Sequence, residues 1–303
     1  MFQQVNIDAI DIEAMIKGCK VISPAIFGGQ KKVFPCIYNG SKLALKFILL
    51  ADSFDSLSKI NKEIVNTTYS RIQREIKVME EMQSGYFVKL GQIVPNIIVY
   101  KRQLIFYYSE EWIDGISVKD YFSDPSTTDL REVLNLGKHI TMAIDELWNK
   151  KMVHRDIKPG NIIRRNDGKY ILLDFGIAYD VYGESLTRTG CFPRTPFYCS
   201  PEHYALLNKN KMDFRADLYC LGIVIYEVLT GKHPFKTENM GEEDCIIKLL
   251  NDDYIEPKLV VPSIPEEMNN IVCKLLKMRP YQRYRKCQFL LDDIADLESK
   301  LGV

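Results

Sequence analysis

Three β-prone runs, at residues 20–26, 32–38 and 42–50, open the hydrophobic pattern, punctuated by Gly28-Gly29 and the turn pair Asn39-Gly40. Such runs between turn residues predict strands joined by tight connections. The period then changes. Ile60, Ile64, Ile72, Ile76, Met79 and Met82 recur at helical spacing, while Lys62, Glu63, Arg71, Arg74 and Lys77 take polar positions, which predicts a long amphipathic helix. Residues 87–94 and 104–108 return to a strand pattern, giving a small sheet of about five strands with one helix. Helices dominate after Gly115. Leu130, Val133, Leu134, Gly137, Ile140, Ile144, Leu147 and Trp148 follow the 3.6-residue period of a buried helix. Two short β runs, 161–163 and 170–173, flank the turn Asn166-Asp167-Gly168, and further helical patterns cover about 216–230, 243–251, 266–277 and 286–300. The pattern predicts an α+β, bilobal chain, β-rich first and α-rich second, with a cleft near residues 110–115. Clefts between lobes are where ligands usually bind.

Composition narrows the partners. The 303 residues carry 40 Lys plus Arg against 40 Asp plus Glu, a formal net charge of zero. That balance gives no electrostatic reason to expect nucleic acid or an anionic membrane as the main partner. With 46% hydrophobic and 26% charged residues, global disorder is excluded. The most apolar stretches, 43–51 and 221–228, are short and interrupted by Lys46 and Glu227, so no membrane segment is expected. Residues 1–15 contain no Lys or Arg, the opposite of a secretory start. A soluble, cytoplasmic chain is expected. None of the eight cysteines forms a C-x-x-C pair and only four histidines accompany them, so no zinc spacing appears and the cysteines are expected to be buried thiols. His139, His203 and His233 are read as packing or surface residues.

The sharpest chemistry lies in His154-Arg155-Asp156-Ile157-Lys158-Pro159-Gly160-Asn161, followed by Asp174-Phe175-Gly176. Seven of these letters, H-R-D…N and D-F-G, are those of a phosphoryl-transfer signature. At about 5% per letter they would coincide on the order of once in a billion starting positions. A polar loop between two strands explains the turn residues but not this constellation.

From these residues the chain resembles the eukaryotic-type (Hanks-type) Ser/Thr protein kinases, closest in its short signatures to bacterial members. The likeness runs from about Val21 to Leu297. It implies residues 1–20 as an N-terminal extension, 21–110 as a kinase N-lobe, 111–115 as a hinge and 116–303 as a C-lobe. Leu43-Ala44-Leu45-Lys46 resembles the V-A-I-K strand, and Glu75 resembles the helix glutamate that pairs with its lysine. Their 29-residue separation implies a loop insertion at 53–61. Ser200-Pro201-Glu202 stands where A-P-E is expected, Asp217 and Gly222 match D-x-x-x-x-G, and Arg283 matches the arginine that pairs with the A-P-E glutamate. Thr187-Arg188-Thr189 and Ser200-Pro201-Glu202 look like their counterparts in bacterial members.

The resemblance also implies roles. Asp156 orients the substrate hydroxyl and accepts its proton, Lys158 offsets developing γ-phosphoryl charge, and Thr195 supports both. Lys46, held by Glu75, clamps the α/β-phosphates of ATP; Ile26, Gly28, Gly29, Val33, Ala44, Glu111 and Ile113 complete the ATP site. Asn161 and Asp174 supply oxygen ligands for Mg²⁺, with Mn²⁺ as an alternative. Arg155 implies activation by phosphorylation between D-F-G and A-P-E, where Thr187 and Thr189 are the candidate sites. Protein substrates are expected, with a transient homodimer for autophosphorylation in trans.

Two regions depart from the family pattern. Laid on Val33, the glycine motif puts Ile26, Gly28 and Lys31 at its three glycine positions, so only one matches. Either Gly28-Gly29 keeps the backbone approach to phosphate, or it is a plain turn and Lys31 adds a charge there. Glu111-Trp112-Ile113-Asp114-Gly115 resembles the hinge, which puts Glu110 at the usually apolar gatekeeper position; either that carboxylate is solvated or the register is off by one. The expected function is ATP-dependent transfer of the γ-phosphoryl group to protein Ser/Thr hydroxyls. The rivals are a pseudokinase scaffold that binds without turnover and a small-molecule kinase of related fold.

Overall fold

Alternation in the first strands sorts one sheet into two faces. The computed structural model describes residues 5–28, 31–51, 59–175, 179–180, 197–204 and 212–302. It divides into two units, one of residues 1–81 and 88–113, the other of residues 82–87 and 114–303.

The first unit runs α1 (Ala9–Met15), β1 (Cys19–Val21), β2 (Ile26–Gly28), β3 (Lys31–Tyr38), β4 (Ser41–Ala51), α2 (Lys59–Glu81), β5 (Asn96–Tyr100) and β6 (Gln103–Glu111). The six strands form one antiparallel sheet of order β1-β3-β4-β6-β5, with β2 also on β3. Period-2 geometry puts Phe34 and Cys36 of β3, Leu43, Leu45 and Phe47 of β4 and Ile105 of β6 on one face. They form a core with Val5, Ile7, Ile12 and Ile16 from the N-terminal segment. Asp8 starts α1 with a reciprocal capping box to Asp11. On the opposite face, Tyr69 of α2 packs edge-on against Phe106.

Residues 87–94 do not form the expected strand. They make only isolated bridges, Phe87 to Leu172 and Leu90 to Glu110, and their buried apolar residues Phe87, Val88 and Ile93 are anchors of an irregular segment. The strand is instead β5, paired to β6 from Asn96–Tyr107 to Tyr100–Gln103. Its turn, Lys101-Arg102, holds φ of 45° and 68°, left-handed geometry without the Gly or Asn that usually marks it.

The second unit runs β7 (Gly115–Ser117), α3 (Val118–Tyr121), α4 (Leu130–Asn149), β8 (Met152–Val153), β9 (Ile162–Arg165), β10 (Tyr170–Leu172), β11 (Tyr179–Asp180), α5 (Pro201–Tyr204), α6 (Phe214–Thr230), α7 (Glu242–Leu250), α8 (Pro257–Val260), α9 (Glu266–Leu275) and α10 (Cys287–Leu301). Helix α6 is apolar nearly all round and is accordingly buried along its length. It packs on α4 and α9. A Cβ added to Gly222 would stand 2.8 Å from the Leu275 Cβ, so glycine is what lets α6 and α9 approach. No helix among the described residues is long and apolar enough to cross a membrane. The described cysteines are free thiols, all buried except the partly exposed Cys273.

His233 lies among aromatic rings, close to Phe197, Tyr198 and Phe235. Its Nδ1 accepts the amides of Phe235 (3.2 Å) and Lys236 (3.0 Å), and Nε2 faces the Phe197 carbonyl at 3.1 Å, so the ring is neutral with its proton on Nε2. Burial pushes its pKa down to about 4. The unfolded imidazole titrates near 6.5, so this contribution is complete above that pH and is lost as pH falls towards the folded value. We expect the stability advantage of the wild type over His233→Leu to shrink by about 2 kcal/mol between pH 7.5 and pH 5. Urea unfolding of both proteins measures it; a gap constant with pH would mean the folded ring protonates freely.

Candidate active site

The motif residues fall into two groups, one in each unit. In the first, strand register collects them. Ile26 pairs with Val33 and Gly28 with Lys31 across β2–β3. Val33 pairs with Lys46, and Pro35 with Ala44, across β3–β4; Lys46 then pairs with Tyr108, and Ala44 with Glu110, across β4–β6. Directly paired residues share a face, as do residues two apart. Ile26, Gly28, Lys31, Val33, Ala44, Lys46, Tyr108 and Glu110 therefore occupy one face, opposite the apolar core.

Two ion pairs organise that face, and they correct the expected pairing of Lys46 with Glu75. Lys46 Nζ meets Glu110 Oε1 at 2.5 Å, while Glu75 accepts from Lys31 Nζ at 2.7 and 3.0 Å. The Tyr108 hydroxyl lies 3.0 Å from Glu75 Oε1 and 3.4 Å from Glu110 Oε1. Glu110 is thus not solvated; at 3% exposure it is buried and paired with Lys46, which offsets the cost of taking a carboxylate out of water. Glu111 remains in β6, its carboxylate accepting the Lys89 amide at 2.9 Å, and Ile113 is buried. Gly29 lies outside the described residues.

In the second unit a strained loop carries the catalytic motif. Arg155 and Asp174 hold φ of 71° and 64°, left-handed values that are costly for residues with a Cβ. Buried Asp217, at the start of α6, accepts the His154 amide at 2.7 Å and the Arg155 amide at 2.8 Å, which holds the loop in that shape. Burial pushes the Asp217 carboxyl up to about 7, against the two amide donations. His154 Nδ1 accepts the Asp156 amide at 3.3 Å, and its Nε2 faces the Leu173 carbonyl at 3.2 Å. That pattern defines the neutral Nε2–H ring, and burial lowers its pKa accordingly. The imidazole links the loop to the strand end just before Asp174.

Three expected residues meet at one carboxylate. Asp156 Oδ2 accepts from Lys158 Nζ at 2.8 Å and from Asn161 Nδ2 at 2.7 Å, and Asn161 Nδ2 also reaches the Asp156 carbonyl at 3.0 Å. The Leu173 amide donates to the Asn161 carbonyl at 2.8 Å, tying the segment before Asp174 to the same loop. Beside Lys158 opens a cavity of about 480 Å³ lined by Pro159, Gly160, Tyr198, Glu227 and Gly231 among others. Arg283 and Glu202 form the expected pair, with two parallel bonds of 2.7 and 3.0 Å. Thr187, Thr189 and Thr195 lie outside the described residues, as does most of the 53–61 insertion.

The donors assigned to a metal suit Mg²⁺: the Asp174 carboxylate and the Asn161 amide oxygen are hard ligands, and the bonds to Asp156 orient the Asn161 amide. Among the described residues no group of three or more His, Cys, Asp or Glu is placed to hold a metal ion. A cation here would complete its shell with phosphate and water, as Mg²⁺ does.

The family model for the protein kinase domain matches residues 28–293. Serine/threonine-protein kinase PrkC of Bacillus subtilis strain 168 is 32% identical over 206 residues, covering 66% of this chain and 31% of that protein. A probable serine/threonine-protein kinase of Clostridium perfringens is 26% identical over 259 residues (84% and 34%). Probable serine/threonine-protein kinase PknB of Lactococcus lactis is 27% identical over 237 residues (78% and 36%). The chain spans about a third of the length of these relatives. It belongs to the protein kinase family, as a Hanks-type member with bacterial affinity.

Proposed function

We propose that this chain transfers the γ-phosphoryl group of ATP to Ser and Thr hydroxyls of proteins. The observation that carries this reading is the convergence of Lys158 and Asn161 on Asp156 Oδ2. Phosphoryl transfer has a loose transition state, so catalysis is mostly positioning and charge stabilisation. Asp156 orients the hydroxyl and takes its proton; two donors on one oxygen hold its carboxylate in place. Lys158, 2.8 Å away, offsets charge on the transferred group. Its lysine identity and the adjoining cavity suit a hydroxyl carried on a peptide. Asp174 and Asn161 would hold Mg²⁺, which, when bound, neutralises the phosphate oxygens. Ile26, Gly28, Val33, Ala44, Glu111 and Ile113 are the proposed adenine and ribose side of the ATP site, with Lys46 and Glu75 in the charged network on the same sheet.

The same reading includes activation by autophosphorylation at Thr187 or Thr189, met by buried Arg155 next to Asp156. A phosphate carries about −1.5 to −2 charge and orders a segment by pairing with arginine. Mass spectrometry after incubation with Mg-ATP should find phosphate on one or both threonines, and the double Thr→Ala variant should lose activity several-fold. Full activity in an unmodified chain would refute this switch.

A further inference from the structure

Lys31 stands where the resemblance calls for a glycine, and the structure gives it a partner that the resemblance gives to another lysine. Its Nζ donates to both oxygens of Glu75, at 2.7 and 3.0 Å, and lies 3.3 Å from the Tyr108 hydroxyl. Glu75 is only 1% exposed. Lys46 is occupied by Glu110 at 2.5 Å. The Lys31 side chain keeps 16% of its surface exposed against 10% for Lys46. The neighbour of Lys31 across β2–β3 is Gly28, which adds no side chain to that face.

Lys31 and Glu110, two of the departures from family pattern, are complementary. Glu110 alone, in place of an apolar gatekeeper, would compete with Glu75 for Lys46 and leave one buried carboxylate uncompensated. Lys31 alone would crowd a second ammonium beside Lys46. Together, among the described residues, they set two ammonium groups against two carboxylates, with one phenol touching both carboxylates. Burial favours such a matched network over either change by itself.

We propose that Lys31 is the lysine that Glu75 presents to the nucleotide phosphates, and that Glu110 holds Lys46 behind it as the partner that keeps the network neutral. The assignment rests on the kinase reading of the site. A carboxylate-held ammonium keeps its charge and needs no rotamer search to meet a phosphate oxygen.

Equilibrium binding of Mg-ATP and of adenosine to the full chain tests this without requiring turnover. Lys31→Met should weaken Mg-ATP binding about tenfold or more, as loss of a charge-assisted contact does, while adenosine binding changes less than about twofold. Lys31→Arg should recover most of the ATP affinity. In a double-mutant cycle Lys31→Met and Glu75→Gln should be strongly non-additive, whereas Lys46→Met and Glu75→Gln, joined only through Glu110 and Tyr108, should couple more weakly. Should Lys31→Met fold poorly, Lys31→Met/Glu75→Leu removes both charges and should show the same selective loss for ATP. Wild-type ATP affinity in either variant, or coupling of Glu75 to Lys46 and not to Lys31, would overturn the proposal. A wild type that binds neither ligand would overturn it together with the kinase reading. A wild type that binds Mg-ATP without transfer would remove only the enzymatic reading, and the affinities would still decide the role of Lys31.

Discussion

Asp156→Asn is expected to lower kcat for phosphoryl transfer about a thousandfold, within the range that a positioned general base contributes. The substitution keeps the shape of the side chain. Its amide oxygen can still accept from Lys158 and Asn161, which now converge on Oδ2, so the loop should keep its geometry and only proton acceptance and charge are removed. The loss should appear in kcat with little change in KM for ATP, because no proposed phosphate contact is touched. Steady-state kinetics at saturating peptide measure it. A variant within tenfold of wild-type kcat would mean that another group takes the proton.

Arg283→Met is expected to destabilise the second unit by about 3–5 kcal/mol, the cost of removing one partner of a buried ion pair. The Arg283 side chain is fully buried. Besides its two bonds to Glu202, it donates to the carbonyls of Lys277 (2.7 Å), Met278 (2.8 Å) and Arg215 (2.8 Å), and its guanidinium lies 4.6 Å from the centre of the Tyr219 ring. Methionine fills volume but leaves Glu202 and three carbonyls without this donor. Domains are stable by only about 5–15 kcal/mol, so the variant should unfold at far lower urea. Replacing Glu202 as well should recover only part of the loss, since the three carbonyls remain. Loss of less than about 1 kcal/mol in Arg283→Met would show that the network has little energetic weight.

Where pattern and local chemistry agree, the fold is legible in the sequence. Lys42 to Leu50 is a β-prone run entered through the Asn39-Gly40 turn; it is β4. Leu130 to Trp148 keeps the helical period and is α4, capped by Asp129. Phe87 to Val94 misled because buried apolar anchors in an irregular segment look like a short strand. Strand β5 was missed because its left-handed turn uses Lys101 and Arg102. Asp156, Lys158 and Asn161 were legible because their contacts are local, within five residues of chain. Pairings across the sheet were not: a lysine matched to a motif carries no information about which of two buried carboxylates, 35 residues apart, will hold it. The unusual residues at 31 and 110 were the available signal, and they make sense only as a set.

Catalysis of phosphoryl transfer is what separates an active kinase from a pseudokinase scaffold that only binds nucleotide. The direct measurement is incubation of the pure chain with Mg²⁺ and γ-labelled ATP, with and without a protein acceptor, followed by phosphoamino-acid analysis. Label is expected on phosphoserine or phosphothreonine in the wild type and essentially none in Asp156→Asn. Mg-ATP binding by a folded wild type that leaves no label on any protein hydroxyl would contradict the proposed transfer.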